Sequence, residues 1–223
     1  MGLISTVKTL FVGKTLFYPG CVTKYKLKEI KNNYLDILNE LGYKVVTLED
    51  ELCCGLPALN MGYNEDFERL RHENIKLFEK HHIKNIITNC PACASMFKEN
   101  YNIPTQHVTE VIPEQDITED RGEVSYHDPC HLARKCNSTE QPRKLIKSLG
   151  FKIKDNLNQG KETSCCGTGH IDFDKPLCKQ IAEKRLKDFS TRRIITTCPL
   201  CYKHLKDGVE ENEIIELSEV IMK

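Results

Sequence analysis

The chain has 223 residues, with Lys+Arg and Asp+Glu both at 32 and a formal net charge of zero. That balance offers no field for nucleic acid or an anionic membrane surface. With no Trp and 7% aromatic residues, the chain also lacks the platforms on which bases stack.

Its 12 cysteines stand out. No secretory signal precedes them, so they read as metal or redox residues of a cytoplasmic protein rather than a disulfide scaffold. In residues 1–13 the apolar run is interrupted by Ser5, Thr6 and Lys8. This stretch therefore reads as a frayed end or short docking segment, neither a cleaved signal nor a membrane span. Peripheral association stays open.

Leu27, Ile30, Tyr34, Ile37, Leu38 and Leu41 then lie on one helical stripe, closed by Gly42. Tyr43–Leu48 reads as a strand. Phe67, Leu70, Leu77 and Phe78 trace a second helix interrupted by Asn74, and Asn85–Thr88 a short buried strand. Pro113–Arg121 is polar and acidic apart from Ile117 and reads as a linker. Beyond it come a strand near Val124–Tyr126, a helix around Gln141–Leu149 and a strand at Phe151–Ile153. A helix over Leu177–Phe189 and a strand at Arg193–Thr196 follow. Strands alternating with helices predict an α/β fold with a small, mostly parallel sheet in each half.

The two halves repeat. Ile86-Ile87-Thr88-Asn89-Cys90-Pro91-Ala92-Cys93 returns as Ile194-Ile195-Thr196-Thr197-Cys198-Pro199-Leu200-Cys201. Cys53-Cys54-Gly55 returns as Cys165-Cys166-Gly167. Cys21, after Phe17-Tyr18-Pro19-Gly20, matches Cys130, after Tyr126-His127-Asp128-Pro129. The expected organisation is a duplication: unit one over 14–112, a linker over 113–121 and unit two over 122–223.

Each unit carries five patterned thiols. Cys21, Cys53, Cys54, Cys90 and Cys93 form the first quintet; Cys130, Cys165, Cys166, Cys198 and Cys201 form the second. All follow strands or precede helices, so one sheet edge can collect them. Cys90 and Cys198 are each followed by Pro, which suits a first helical position. The free N–H groups of that helix start favour thiolate over thiol. Gly55 and Gly167 permit a sharp turn. Five thiols exceed tetrahedral zinc, which takes four ligands. Iron–sulfur clusters, which present several irons, accommodate them better than zinc does.

The pattern Cys, thirty-odd residues, Cys-Cys-Gly, thirty-odd residues, Cys-Pro-x-Cys resembles the cysteine-rich CCG domain over about 14–223. Its relatives include the B-type and D-type subunits of heterodisulfide reductase. They also include the iron–sulfur subunits of glycolate oxidase, anaerobic glycerol-3-phosphate dehydrogenase and lactate utilisation. Tyr126-His127-Asp128-Pro129-Cys130-His131-Leu132 looks like the second CCG unit of the glycolate and lactate branches. The resemblance implies two non-cubane [4Fe-4S] clusters, one on each quintet. It implies an oxidoreductase subunit, similar to the B-type one and active with a partner, that reduces a disulfide or similar thiol-derived substrate. The alternative is an electron-relay subunit of a flavin-dependent lactate- or glycolate-type dehydrogenase. A non-redox metal-binding module is a third reading, which the complete quintets disfavour.

No ferredoxin-like C-x-x-C-x-x-C-x-x-x-C run and no G-x-G-x-x-G fingerprint occurs in the chain. Electrons must therefore pass to or from a ferredoxin-like or flavin-containing partner. His170 stands where many relatives carry glycine. Cys136 reads as a spare thiol and Cys178 as packing. His127 and His131 read first as hydrogen-bonding to backbone or sulfur and second as proton donors to a leaving thiolate.

Overall fold

The computed structural model describes residues 13–170, 174–208 and 211–222, and the side chain of His170 is not among them. The expectation for residues 1–13 falls, but for Gly13, outside that range.

Eight strands form two four-stranded sheets among the described residues. The first has β1 (Lys14–Phe17), β2 (Val45–Val46), β3 (Ile83–Thr88) and β4 (Thr105–His107), in the order β2-β1-β3-β4. The second has β5 (Glu123–His127), β6 (Lys152–Lys154), β7 (Arg193–Thr196) and β8 (Glu213–Glu216), in the order β6-β5-β7-β8. Every pairing is parallel. The α/β class and the internal duplication are as expected. In each sheet the order reverses between the first and third strands. Connections leave that point in opposite directions, so a crevice opens at the strands' carboxyl ends.

Parallel pairing requires crossovers, and amphipathic helices supply them. In unit one these are α1 (Gly20–Lys26), α2 (Lys28–Glu40), α3 (Leu56–Asn60), α4 (Asn64–Lys80) and α5 (Pro91–Asn100), with α6 (Val108–Val111) following the last strand. In unit two they are α7 (Glu140–Ser148), α8 (Lys175–Lys187) and α9 (Pro199–Asp207), with a π-type turn at His131–Lys135 and α10 (Leu217–Ile221) following the last strand. Helix α2 buries the predicted stripe through Ile30, Tyr34, Ile37 and Leu38. It stops at Gly42, whose φ of 79° is open to glycine and costly for residues with a Cβ.

One hydrophobic core crosses the boundary between the units. Phe17, Tyr34 and Leu38 from the first pack in the same cluster as Tyr126, Leu145, Ile146 and Ile194 from the second. The Tyr34 hydroxyl donates to Glu216 Oε1 at 2.6 Å, fully buried. Segment 113–121 is tied down as well: Ile117 N–H donates to the Ser148 carbonyl and Arg121 N–H to the Gly150 carbonyl.

Two expectations need correction, and two short pieces are additions. The Tyr43–Leu48 strand shrinks to Val45–Val46 at the sheet edge, while Leu48 is buried without pairing. Asn74 does not interrupt α4; it is fully buried within it. The short pieces β4–α6 and β8–α10 were not anticipated. Each turns from strand to helix through a capping box, His107 with Glu110 and Glu216 with Glu219. Among the described residues no helix is long and apolar enough to cross a membrane.

Candidate metal centres

Each predicted cysteine sits in a loop or helix start that leaves the carboxyl end of a strand. Cys21 lies in the first turn of α1 after β1; Cys53 and Cys54 lie after β2; Cys90 caps α5 after β3, with Cys93 one turn on. Unit two repeats this with Cys130 after β5, Cys165–Cys166 beyond β6, and Cys198 and Cys201 at the start of α9. The first and last positions flank the reversal point of each sheet.

The thiols meet in the same order in both units. In the first, Cys21 lies next to Cys53, and Cys54, Cys93 and Cys90 follow as successive neighbours. In the second, Cys130 lies next to Cys165, and Cys166, Cys201 and Cys198 follow. Each series starts at an accessible thiol, Cys21 or Cys130, and ends on a buried floor, Cys90–Cys93 or Cys198–Cys201. All twelve cysteines are free. Cys136 and Cys178 join neither group: Cys136 Sγ lies 3.9 Å from the Pro91 carbonyl, and Cys178 is buried in α8.

Charge distributes unevenly along these series. Cys54 accepts from Cys53 and Cys93 and is held well below the usual thiol range. Cys165 accepts from Cys130 and Cys166 and is likewise lowered. Their thiol donors rise in exchange: Cys93 upward, Cys166 to about 12. Backbone donors add to this, with Gly55 N–H on Cys53 Sγ at 3.5 Å and Gly167 N–H on Cys165 Sγ at 3.3 Å. The starts of α5 and α9 point unpaired N–H groups the same way.

Glycines hold the vicinal pairs in place. Gly55 has φ 89° and Gly167 φ 98°. A Cβ would stand 2.6 Å from the Phe67 ring at the first and 2.6 Å from the Cys178 carbonyl at the second. Asn74, from mid-α4, grips the first pair: Oδ1 accepts from Leu52 N–H at 3.1 Å and Nδ2 donates to the Cys53 carbonyl at 2.9 Å. Tyr101 donates to the Cys54 carbonyl at 3.0 Å. The sequence reading missed Asn74 and its counterpart Arg185. A polar residue inside an apolar helical stripe was the signal.

Two free quintets fit a multi-iron group better than single ions. Among the described residues, only His127, Cys166 and Cys201 bring three ligand atoms within 4.8 Å of one another. The quintets are thus spread wider than the tight shell of one tetrahedral ion, while offering soft donors throughout. Beside the second quintet lies a cavity of about 340 Å³. Its other wall comes from unit one, through Leu56, Pro57, Met61, Pro91 and Ala92. His131 lines it too, with Nδ1 3.6 Å from Cys130 Sγ; burial holds the His131 pKa below the ordinary histidine value.

Residues 15–98 and 124–206 each match the CCG cysteine-rich domain. The chain belongs to this family. The B subunit of the fumarate reductase (CoM/CoB) of Methanothermobacter marburgensis is 29% identical over 87% of this chain and 42% of its own length. The D subunit of the dihydromethanophenazine:CoB–CoM heterodisulfide reductase of Methanosarcina acetivorans is 27% identical over 97% of this chain and 59% of its own. Lactate utilization protein A 2 of Bacillus cereus is 27% identical over 70% of this chain and 72% of its own. The chain therefore spans about two fifths to three fifths of the two reductase subunits it matches. Among solved structures, a glutamate racemase of Bacillus anthracis superposes with a TM-score of 0.42 at 13% identity, over 94% of this chain and 79% of that one.

Proposed function

We propose that the chain is an iron–sulfur oxidoreductase subunit that binds two non-cubane [4Fe-4S] clusters and reduces a disulfide or similar thiol-derived substrate. The observation that carries this reading is the pair of free thiol quintets, linked in the same order at the carboxyl ends of two duplicated sheets. Cys21, Cys53, Cys54, Cys90 and Cys93 would hold one cluster; Cys130, Cys165, Cys166, Cys198 and Cys201 the other. When bound, such clusters supply one-electron steps and iron sites with affinity for sulfur. Two electrons and two protons convert one disulfide into two thiols, and a ferredoxin-like or flavin-containing partner would supply the electrons.

The chain's own residues suit that chemistry. The cavity beside the second quintet is mostly apolar and formed by both units, which excludes water from a sulfur-containing substrate. Disulfide reduction is also in keeping with the likeness to the D subunit of a heterodisulfide reductase. The likeness to a lactate utilization protein favours a second reading, an electron relay for a flavin-dependent hydroxy-acid dehydrogenase.

Anaerobic purification with iron and sulfide counting, then EPR after adding a thiol or disulfide, separates these. The proposal expects two clusters per chain and a new signal on thiol addition. Clusters that a flavin partner reduces, with no response to thiols, would establish the relay. A folded, anaerobic protein without iron would end both.

A further inference from the structure

The two sites are not equivalent, and two buried side chains that no cysteine pattern includes contribute to the difference. In unit two, His127 ends β5 with 1% exposure, and a ring nitrogen lies within 4.8 Å of Cys166 Sγ and Cys201 Sγ. Its Nδ1 faces Arg185, whose Nε–H donates to it at 3.3 Å. A guanidinium has no acceptor. Nδ1 therefore offers its lone pair, and the ring proton sits on Nε2. That Nε2–H is buried and has no partner.

Arg185 is itself fixed. Its Nη1 donates to the Leu157 and Asn158 carbonyls at 3.0 and 3.1 Å and pairs with Asp188 at 3.1 Å. Its guanidinium stacks 4.4 Å from the centre of Phe189, which packs edge-on to His127. Unit one places Tyr18 and Asn74 at the equivalent positions. Tyr18 turns its hydroxyl away and donates it to the Leu52 carbonyl at 2.7 Å, and Asn74 is occupied by the backbone of residues 52 and 53. The first site receives no such donor from this position; the second holds an unused N–H on a ring that comes within 4.8 Å of two of its sulfurs.

We infer that His127, oriented by Arg185, donates Nε2–H to a sulfur of the second centre and sets that centre at the higher reduction potential of the two. This rests on the cluster reading above. A hydrogen bond to sulfur strengthens as the group gains negative charge, so it favours the reduced state. Neighbouring charges are internally balanced: Arg185 with Asp188, and Arg143 with Asp128 at 2.5 Å. The second site also has Thr168 Oγ1 3.0 Å from Cys166 Sγ and His131 Nδ1 3.6 Å from Cys130 Sγ, and the His127 N–H is the buried donor it adds to these. An electron lost by the first centre is then gained by the second, which makes the second the resting place of reducing equivalents. His127 is a positioning and tuning residue, not an iron ligand, because its tautomer leaves no lone pair on Nε2.

The test is an EPR-monitored redox titration of anaerobically reconstituted protein, in a Cys54→Ser background that isolates the second centre and in the full wild-type chain. His127→Phe is expected to move the second midpoint to more negative potential, leaving the first midpoint and the iron content unchanged. Arg185→Gln should move it the same way by a smaller amount, and His127→Gln, which keeps an N–H donor, should restore part of the shift. In wild type, pulsed EPR with ¹⁵N-histidine should show one weakly coupled nitrogen and one exchangeable proton at the second centre. That measurement decides the matter if His127→Phe does not fold. Unmoved midpoints with iron retained, or no exchangeable-proton coupling, would overturn the inference. So would a strongly coupled nitrogen with iron lost from the second site, which would make His127 a ligand. Wild-type protein that takes up no iron would instead overturn the cluster reading itself.

Discussion

Replacing Asn74 with Ala tests how the first vicinal pair is held. Asn74 is fully buried in α4 and clamps the chain on both sides of the Leu52–Cys53 peptide. Truncation leaves the Leu52 N–H without its acceptor and the Cys53 carbonyl without its donor. A buried polar group stranded in this way costs about 1–3 kcal/mol. Leu52 and Cys53 are only half-buried, so water can reach them in part. The expected loss is therefore near the lower end, about 2–3 kcal/mol for the two groups together. In a chain of this size that corresponds to a fall in Tm of roughly 4–12 °C. Because the displaced backbone carries Cys53, iron content of the first centre should fall with stability, and the second should keep its iron. Calorimetry of the apoprotein and iron counting after reconstitution give both numbers. A variant with unchanged Tm and full iron would refute the account of Asn74 as the anchor of the pair.

The remaining predictions follow from the same geometry. Cys54→Ser and Cys166→Ser should each remove about half of the bound iron and sulfide, whereas Cys136→Ser and Cys178→Ser should remove none; iron analysis of the four purified variants checks the assignment. Gly55→Ala forces a Cβ to within 2.6 Å of Phe67 at φ 89° and should cost about 2–5 kcal/mol, combining strain and overpacking. Gly42→Ala, at φ 79° in open space, should cost only about 1–2 kcal/mol in urea unfolding. Burial pushes the Glu216 carboxyl up to about 7 from an ordinary 4.5, so the folded chain holds a proton there that the unfolded chain releases. Its contribution to stability is present below pH 4.5 and is lost as pH rises towards 7, by roughly 3 kcal/mol at most. Glu216→Gln should therefore gain on the wild type across that window, measured as the difference between two urea-unfolding pH series; a constant difference would contradict the assignment.

Much of this architecture was legible because it repeats. The Cys-Pro-x-Cys and Cys-Cys-Gly patches recur at nearly one offset, and the helices of α2, α7 and α8 show apolar spacing that burial alone enforces. Short pieces were harder to read. Thr105–His107 and Glu213–Glu216 are three and four residues long. Their strand character comes from pairing with β3 and β7, not from composition. A signal was nonetheless present, since Val108-Thr109-Glu110-Val111-Ile112 returns as Leu217-Ser218-Glu219-Val220-Ile221.

By itself the sequence determined the number and grouping of the thiols, the duplication and the parallel α/β class, because spacing and periodicity are properties of a line of residues. Only the tertiary structure decided which buried polar groups serve those thiols. Asn74 and Arg185 occupy matching turns of α4 and α8, yet one grips backbone and the other a histidine ring. Tyr18 and His127 occupy matching strand ends, yet one aims its proton at a carbonyl while the other leaves it unpaired on a ring near two sulfurs. Hydrogen-bond direction depends on what segments distant in sequence bring alongside, and that is settled only when each unit folds.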